Sequence, residues 1–203
     1  MLDSVAYNPL DKANLGRSVS DAVLTQPALP LHSLQPFVGA GVYALYYNGP
    51  FDPYAPLANA NAATFKQPIY VGKAVPEGAR RGVKSLDALS GNYLFKRLNE
   101  HKRSIEQVGN LSLDHFFCRY LVVDEIWIPL GESLLIQKYQ PLWNSVLDGF
   151  GNHDPGRGRR FGKKPLWDIL HPGRTWAEKL TQDVSAEEVQ SCVGAYFKQH
   201  TLI

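Results

Sequence analysis

Two cysteines in 203 residues, Cys118 and Cys192, are too few for a disulfide framework or a zinc site, and they imply a reducing compartment. Long apolar runs are missing too: no stretch approaches the length of a membrane span, which excludes a spanning protein of the helical kind. The N-terminus lacks the basic-then-apolar form of a secretory signal. A cytoplasmic, soluble chain with no membrane partner is therefore expected. Net charge is scarce, only +2 formally, so the total nominates no ligand. No internal repeat is visible, which excludes solenoids and propellers. The hydrophobic fraction of 44% and charged fraction of 20% are those of an ordinary globular chain, long enough for one domain with its own core.

Charge is present locally. Residues 66–103 hold nine Lys/Arg against three acids, and residues 157–164 hold five bases and no acid. Residues 106–148 invert this, with six acids and two bases. A basic surface on a nearly neutral chain suits a polyanion bound at one face, although two solvated faces would read the same way.

The hydrophobic pattern divides the chain. Residues 1–38 read as an arm, with a short helical stripe of Leu15, Val19, Ala22 and Val23 ended by Pro27, Pro30 and Pro36. Strands are expected over 41–47, 68–73 and 115–123, where β-branched and aromatic residues concentrate. In the second strand, alternation puts Ile69 and Val71 on one face and Tyr70 on the other. Residues 48–67, with three prolines, read as a long loop. Helices are expected over 92–107 and 130–139, near 174–181, and after Ser185, whose partner Glu188 completes a capping box. Strand, strand, helix, strand, helix gives a small mixed α/β (α+β) core of three strands at 39–147. The arm, the 48–67 loop and a C-terminal helical extension at 148–203 elaborate it.

The polar residues of that core are an unusual set. Tyr43 and Tyr70 each lie in a strand that aims the side chain at one face. A phenol is a general base only if its pKa falls far below its usual value near 10, and Lys73 in the same strand or Arg97 from the helix could lower it. Arg97 and His101, four apart, share one helix face with Tyr93. Arginine can stabilise charge developing on a phosphorane, and histidine suits proton transfer near neutral pH. Glu132, at the opening of a helix, could hold a single Mg²⁺, which takes one or two protein carboxylates and fills its octahedron with water and phosphate oxygens. Asn144 reads as a structural hydrogen bond between the end of this helix and the sheet. Each has a plainer reading: packed strand tyrosines, a solvated basic helix face, a glutamate favoured by a helix dipole. Taken together, two phenols, a guanidinium, an imidazole and one carboxylate fit one-metal phosphodiester cleavage. Arg157, Arg159, Arg160, Lys163 and Lys164, on a glycine-rich segment, could reach phosphates or guanine edges, or could be merely solvated.

Gly41-Val42-Tyr43, Ile69-Tyr70-Val71-Gly72, Arg97, His101, Glu132 and Asn144 resemble, in order, the signature of the GIY-YIG nuclease superfamily. Gly41–Tyr47, Pro68–Pro76, Leu134–Asn144, Asp148–His153, His171-Pro172-Gly173-Arg174 and Trp176-Ala177-Glu178-Lys179 carry a closer resemblance to the Type II restriction endonucleases that cut the palindrome CCGCGG. The likeness spans residues 39–180. Valines 42 and 71 replace the isoleucines of the superfamily's name, and Tyr70 follows Tyr43 by 27 positions, a longer spacing than in minimal members. The resemblance implies hydrolysis by in-line water attack, giving 5′-phosphate and 3′-hydroxyl ends. It implies Tyr43 as general base with His101 relaying the proton, Arg97 and Tyr70 on the phosphorane oxygens, and Glu132 holding one Mg²⁺, with Mn²⁺ able to substitute. No small-molecule cofactor is expected. Double-stranded DNA is the expected partner, and a double-strand cut at a palindrome implies a homodimer. A repair or homing-type nicking nuclease on the same module is the alternative, and a DNA-binding protein without catalysis is a third.

Overall fold

The computed structural model describes residues 7–76, 91–152, 154 and 162–202. Its centre is β2, Gly41–Tyr47, buried at every position. The strand alternates between two apolar clusters. Tyr43, Leu45 and Tyr47 enter one, while Val42, Ala44 and Tyr46 enter the other. Both faces are covered because the strand lies inside the sheet, between β4 (Phe116–Val122) and β3 (Tyr70–Ala74), with antiparallel pairing on both sides. The register sets Tyr43 opposite Gly72 on one side and Tyr120 on the other.

The sheet has four strands rather than the expected three: β1 (Leu29–Pro30) joins it, and the order is β1-β4-β2-β3. This extra edge is drawn from the N-terminal arm and paired with Phe117 and Cys118. Two residues ending in proline carry no alternation to detect, and proline is tolerated there because an edge strand can spare a donor. The rest of the arm forms α1, Lys12–Leu24, capped by Asp11, which accepts from the Ala13 amide at 2.8 Å. It lies on α4, Ile128–Tyr139, where Gly16 faces Leu134 and Val19 faces Gly131.

The helix α3, Tyr93–Glu106, buries Leu94, Leu98, His101 and Ile105, the stripe its spacing predicts, against the first cluster. The helix α4 covers the second cluster through Ile128 and Leu135 and ends at Gln140, which adopts a left-handed conformation (φ 41°) just before Pro141. It begins at Ile128, two residues before the expected start. Glu132 thus lies one turn inside the helix, and the favourable-dipole reading of it weakens.

Two expectations about connections are corrected. The 48–67 segment is not a structureless loop: a 3-10 turn at Asp52–Tyr54 runs into α2, Ala55–Ala60. A six-residue helix led by proline is too short to show a helical period. Asn61 closes the insertion, donating to the carbonyls of Tyr47 (3.0 Å) and Gln67 (2.9 Å) and accepting from the amides of Lys66 (3.1 Å) and Gln67 (3.0 Å). Ile69 and Val71 do not share a face, since Ile69 precedes the strand and joins the first cluster while Val71 joins the second.

After α5, Leu142–Ser145, the C-terminal part contributes α6, Leu166–Leu170, and α7, Ala186–Gln199. The helix expected near 174–181 is only a 3-10 turn at Ala177–Lys179, whereas the capping box of Ser185 and Glu188 opens α7 as its sequence predicts. Trp167, Val189 and Val193 pack into the same cluster as Tyr43. Among the described residues, no helix is long and apolar enough to cross a membrane.

Candidate active site

Tyr43 and His101 meet although 58 positions separate them. The phenol oxygen lies 2.6 Å from Nε2 of the imidazole, and both side chains are buried. Strand β2 aims Tyr43 at the first cluster, and α3 crosses above it with His101 on its inner face. Tyr70 joins from β3, with ring centroids 6.3 Å from Tyr43 and 5.2 Å from His101. The packing depends on Gly72: a Cβ there would stand 2.4 Å from the Tyr43 oxygen and 3.0 Å from the Tyr70 ring.

Burial pushes the Tyr43 pKa well above the usual 10, and the neighbouring Tyr70 adds to the rise. The Arg97 charge and its hydrogen bond pull the other way without prevailing. Tyr70 is raised for the same first reason, with Arg97 opposing and Glu132 adding. Both groups are therefore neutral phenols at physiological pH. The expected depression of the Tyr43 pKa by Lys73 is not found. Lys73 instead points to Glu132, with Nζ 2.6 Å from Oε2. Arg97 remains charged: burial works against it, but the phenols and Glu100 more than offset that loss. Its Nη1 donates to Glu100 at 2.9 Å and its Nη2 to the Gly151 carbonyl at 3.0 Å.

The Lys73–Glu132 pair sits at the β3 edge of the sheet. The helix α4 covers the face opposite the Tyr43 cluster, yet Glu132 meets β3 at its rim, and its charge acts on both phenols. Its side chain is 18% exposed and that of Lys73 is 35% exposed, so the carboxylate stays open to a ligand. Among the described residues, no group of three or more His, Cys, Asp or Glu gathers as a metal cage. A lone partly exposed carboxylate fits Mg²⁺ bound jointly with a phosphate and water, and does not fit a structural zinc. Asn144, at the end of α5, fixes this edge by accepting from the Val71 amide at 2.8 Å and donating to the Val71 carbonyl at 2.9 Å.

A family model for the Eco29kI GIY-YIG domain matches residues 35–197. The chain belongs to the Eco29kI GIY-YIG family. It is accordingly a GIY-YIG nuclease of the restriction type, with DNA as its partner. GIY-YIG nucleases in general depend on a divalent metal. No curated protein matches the chain.

Of the basic segment, Arg157, Arg159 and Arg160 lie outside the described residues, as does His153. Lys163 is 83% exposed and pairs with Asp183 at 2.7 Å. The backbone amide of Lys164 donates to the Thr181 carbonyl at 2.8 Å.

Several residues around the GIY-YIG site were not singled out from the sequence. Phe150 stacks on His101 (centroids 4.5 Å, 14° between planes) and meets the Tyr70 ring edge-on at 5.1 Å. Gly151 accepts from Arg97. Arg174, only 1% exposed, donates to the carbonyls of Gly149, Phe150 and Asn152 on either side of Gly151. The signal lay in the motif segments Asp148–His153 and His171–Arg174, which carried the resemblance without a physical role. The buried His171 next to Arg174 has a role of its own. Its Nδ1 lies 2.9 Å from the Asn110 side-chain Oδ1, an orientation fixed because Asn110 Nδ2 donates to the Leu170 carbonyl at 2.8 Å. Nδ1 therefore carries the proton, and Nε2 accepts from Tyr54 at 2.6 Å, whose oxygen in turn accepts from the Trp143 indole at 3.0 Å. Burial, helped by the Arg174 charge, pulls the His171 pKa from 6.5 to about 3.

Proposed function

We propose that this nuclease is a site-specific Type II restriction endonuclease that cuts both strands of a short palindrome, CCGCGG by resemblance, as a homodimer acting in the cytoplasm. The observation that carries the mechanism is the 2.6 Å contact between the Tyr43 oxygen and His101 Nε2, next to a half-buried, charged Arg97. A phenol held neutral by burial cannot begin as a phenolate base. It can act as a relay, taking a proton from the attacking water as its own proton passes to His101 Nε2. That requires an imidazole protonated on Nδ1 and bare at Nε2. The water oxygen then forms its bond to phosphorus in line with the departing 3′-oxygen, leaving 5′-phosphate and 3′-hydroxyl ends. Arg97 and Tyr70 donate to the equatorial oxygens as charge builds there.

Glu132 would hold one Mg²⁺, with Mn²⁺ as a substitute. When bound, that ion supplies neutralisation of charge at the scissile phosphate and the leaving oxygen. Lys73, 2.6 Å from the carboxylate, orients it. The basic segment 157–164 would contact phosphates or guanine edges. One such site serves one strand, and a two-fold dimer matches a palindrome.

Digestion of a sequenced plasmid with Mg²⁺, followed by mapping of the fragment ends, tests this reading. Discrete double-strand fragments ending within CCGCGG are expected. Random nicking, or nicking confined to one strand, would replace it with the repair or homing-type alternative. Binding with no cleavage under any metal would leave only a DNA-binding protein.

A further inference from the structure

Four consecutive carbonyls, residues 149–152, are held by two arginines. Arg97 from the active site takes the Gly151 oxygen at 3.0 Å. Arg174 takes the other three: Gly149 through Nη2 at 2.9 Å, and Phe150 and Asn152 through Nη1 at 3.2 Å each. Its remaining donors form a two-pronged pair with the buried Asp168, Nε to Oδ1 at 2.6 Å and Nη2 to Oδ2 at 2.5 Å. All five guanidinium N–H groups are thereby used. The guanidinium plane is packed on both sides, its carbon 4.6 Å from the Trp167 ring and 4.8 Å from the Trp176 ring.

Arg174 holds the segment that places Phe150 flat against His101 and Gly151 against Arg97 and Tyr70, where a Cβ on Gly151 would stand 3.0 Å from both the Arg97 Nη2 and the Tyr70 oxygen. The loop is also pinned at its start. The Trp167 amide donates to the Asp148 carbonyl at 3.0 Å, and the Leu166 amide to the Asp148 carboxylate at 2.9 Å. With both ends tied, a shift of the guanidinium moves the middle of the loop, which is the part touching His101 and Arg97.

We infer that Arg174, with Asp168, Trp167 and Trp176, is a positioning residue for cleavage. It acts through the 149–152 loop on the orientation of His101 and Arg97, without touching DNA. This rests on the nuclease reading above. Lysine at 174 keeps the charge but offers a point donor in place of the planar fork, so it cannot hold three carbonyls and a carboxylate together.

The test uses the full chain with three readouts: single-turnover cleavage, DNA affinity in Ca²⁺, and the ring proton signals of His101 by NMR. For Arg174→Lys, measured at a temperature where it is folded, cleavage should fall about 10- to 100-fold while DNA affinity stays within about twofold, because misplacing catalytic groups costs rate rather than binding. The His101 signals should move as the Phe150 ring shifts. Trp176→Leu removes one partly exposed packing face and decides the matter if Arg174→Lys does not fold. It should give a smaller fall in rate, at unchanged affinity, with a shift of the His101 signals in the same direction. Unchanged rate and unchanged His101 signals in a folded variant would overturn the inference. The NMR arm reads the coupling whether or not the wild type cuts DNA, so failure of the nuclease reading would show separately, as an inactive wild type.

Discussion

Replacing Tyr43 by phenylalanine removes one oxygen from the centre of the site and nothing else. The ring stays in its cluster, so apolar packing is preserved. Two costs follow. His101 Nε2, buried with its partner at 2.6 Å, loses that partner. The loss of one hydrogen bond costs about 0.5–1.5 kcal/mol. A net loss of about 1 kcal/mol lowers the melting temperature of a chain of this length by roughly 2–4 °C. The catalytic cost is far larger. If Tyr43 relays the proton from water to His101, its removal forfeits general base catalysis, worth about 10²- to 10⁴-fold in rate. Single-turnover cleavage of a CCGCGG duplex at saturating enzyme measures this, beside a melting curve and a binding assay. The expected result is a rate loss of at least about a hundredfold with near-normal DNA binding and a small change in melting temperature. Cleavage within about threefold of wild type by the folded variant would refute the relay, because no general base contributes so little.

Three further outcomes are expected. Gly72→Ala places a methyl 2.4 Å from the Tyr43 oxygen and should cut the cleavage rate by about tenfold or more, since small displacements of catalytic groups are costly; a variant as fast as wild type would show that the phenol's position is not critical. Asn144→Ala leaves the Val71 amide and carbonyl unpaired at the β3 edge and should cost about 1–3 kcal/mol in urea unfolding; no measurable loss would mean that water satisfies that edge. His171, with its folded pKa pulled from 6.5 to about 3, binds fewer protons folded than unfolded. Its contribution is therefore fully present above pH 6.5 and is lost as the pH falls towards 3, at up to about 1.4 kcal/mol per pH unit. Urea unfolding across that range should show a shallower acid loss for His171→Gln than for wild type. Parallel curves would contradict a buried neutral His171.

The legible parts of this molecule were those with a run of one composition or a repeated spacing. The β-branched and aromatic residues of Gly41–Tyr47 predicted a strand, and the spacing of Leu94, Leu98, His101 and Ile105 predicted the inner face of α3. Short elements were not legible. Leu29–Pro30 and the proline-led α2 have no repeat, and tertiary pairing alone makes them regular. Strand and helix patterns showed which way Tyr43 and His101 point but not that they meet, since their separation of 58 positions is closed only by the whole fold. The pairing of Lys73 with Glu132 rather than with Tyr43 was hidden for a similar reason: Lys73 lies on the other face of its strand from Tyr70 and Gly72, towards α4. Arg174 escaped notice because a buried arginine shows itself only through its partners, here four carbonyl and carboxylate groups drawn from residues 149–168.

The most direct measurement is cleavage of supercoiled plasmid by Glu132→Gln beside the wild type, over a Mg²⁺ titration, with DNA binding followed in parallel. Glutamine keeps the shape of the side chain and removes the charge that would hold the ion. The account predicts Mg²⁺-dependent double-strand cleavage by the wild type. It predicts DNA bound but uncut by Glu132→Gln at every Mg²⁺ concentration. A Glu132→Gln protein that cleaves with the wild type's rate and metal dependence would place the metal elsewhere and contradict the arrangement described for this site.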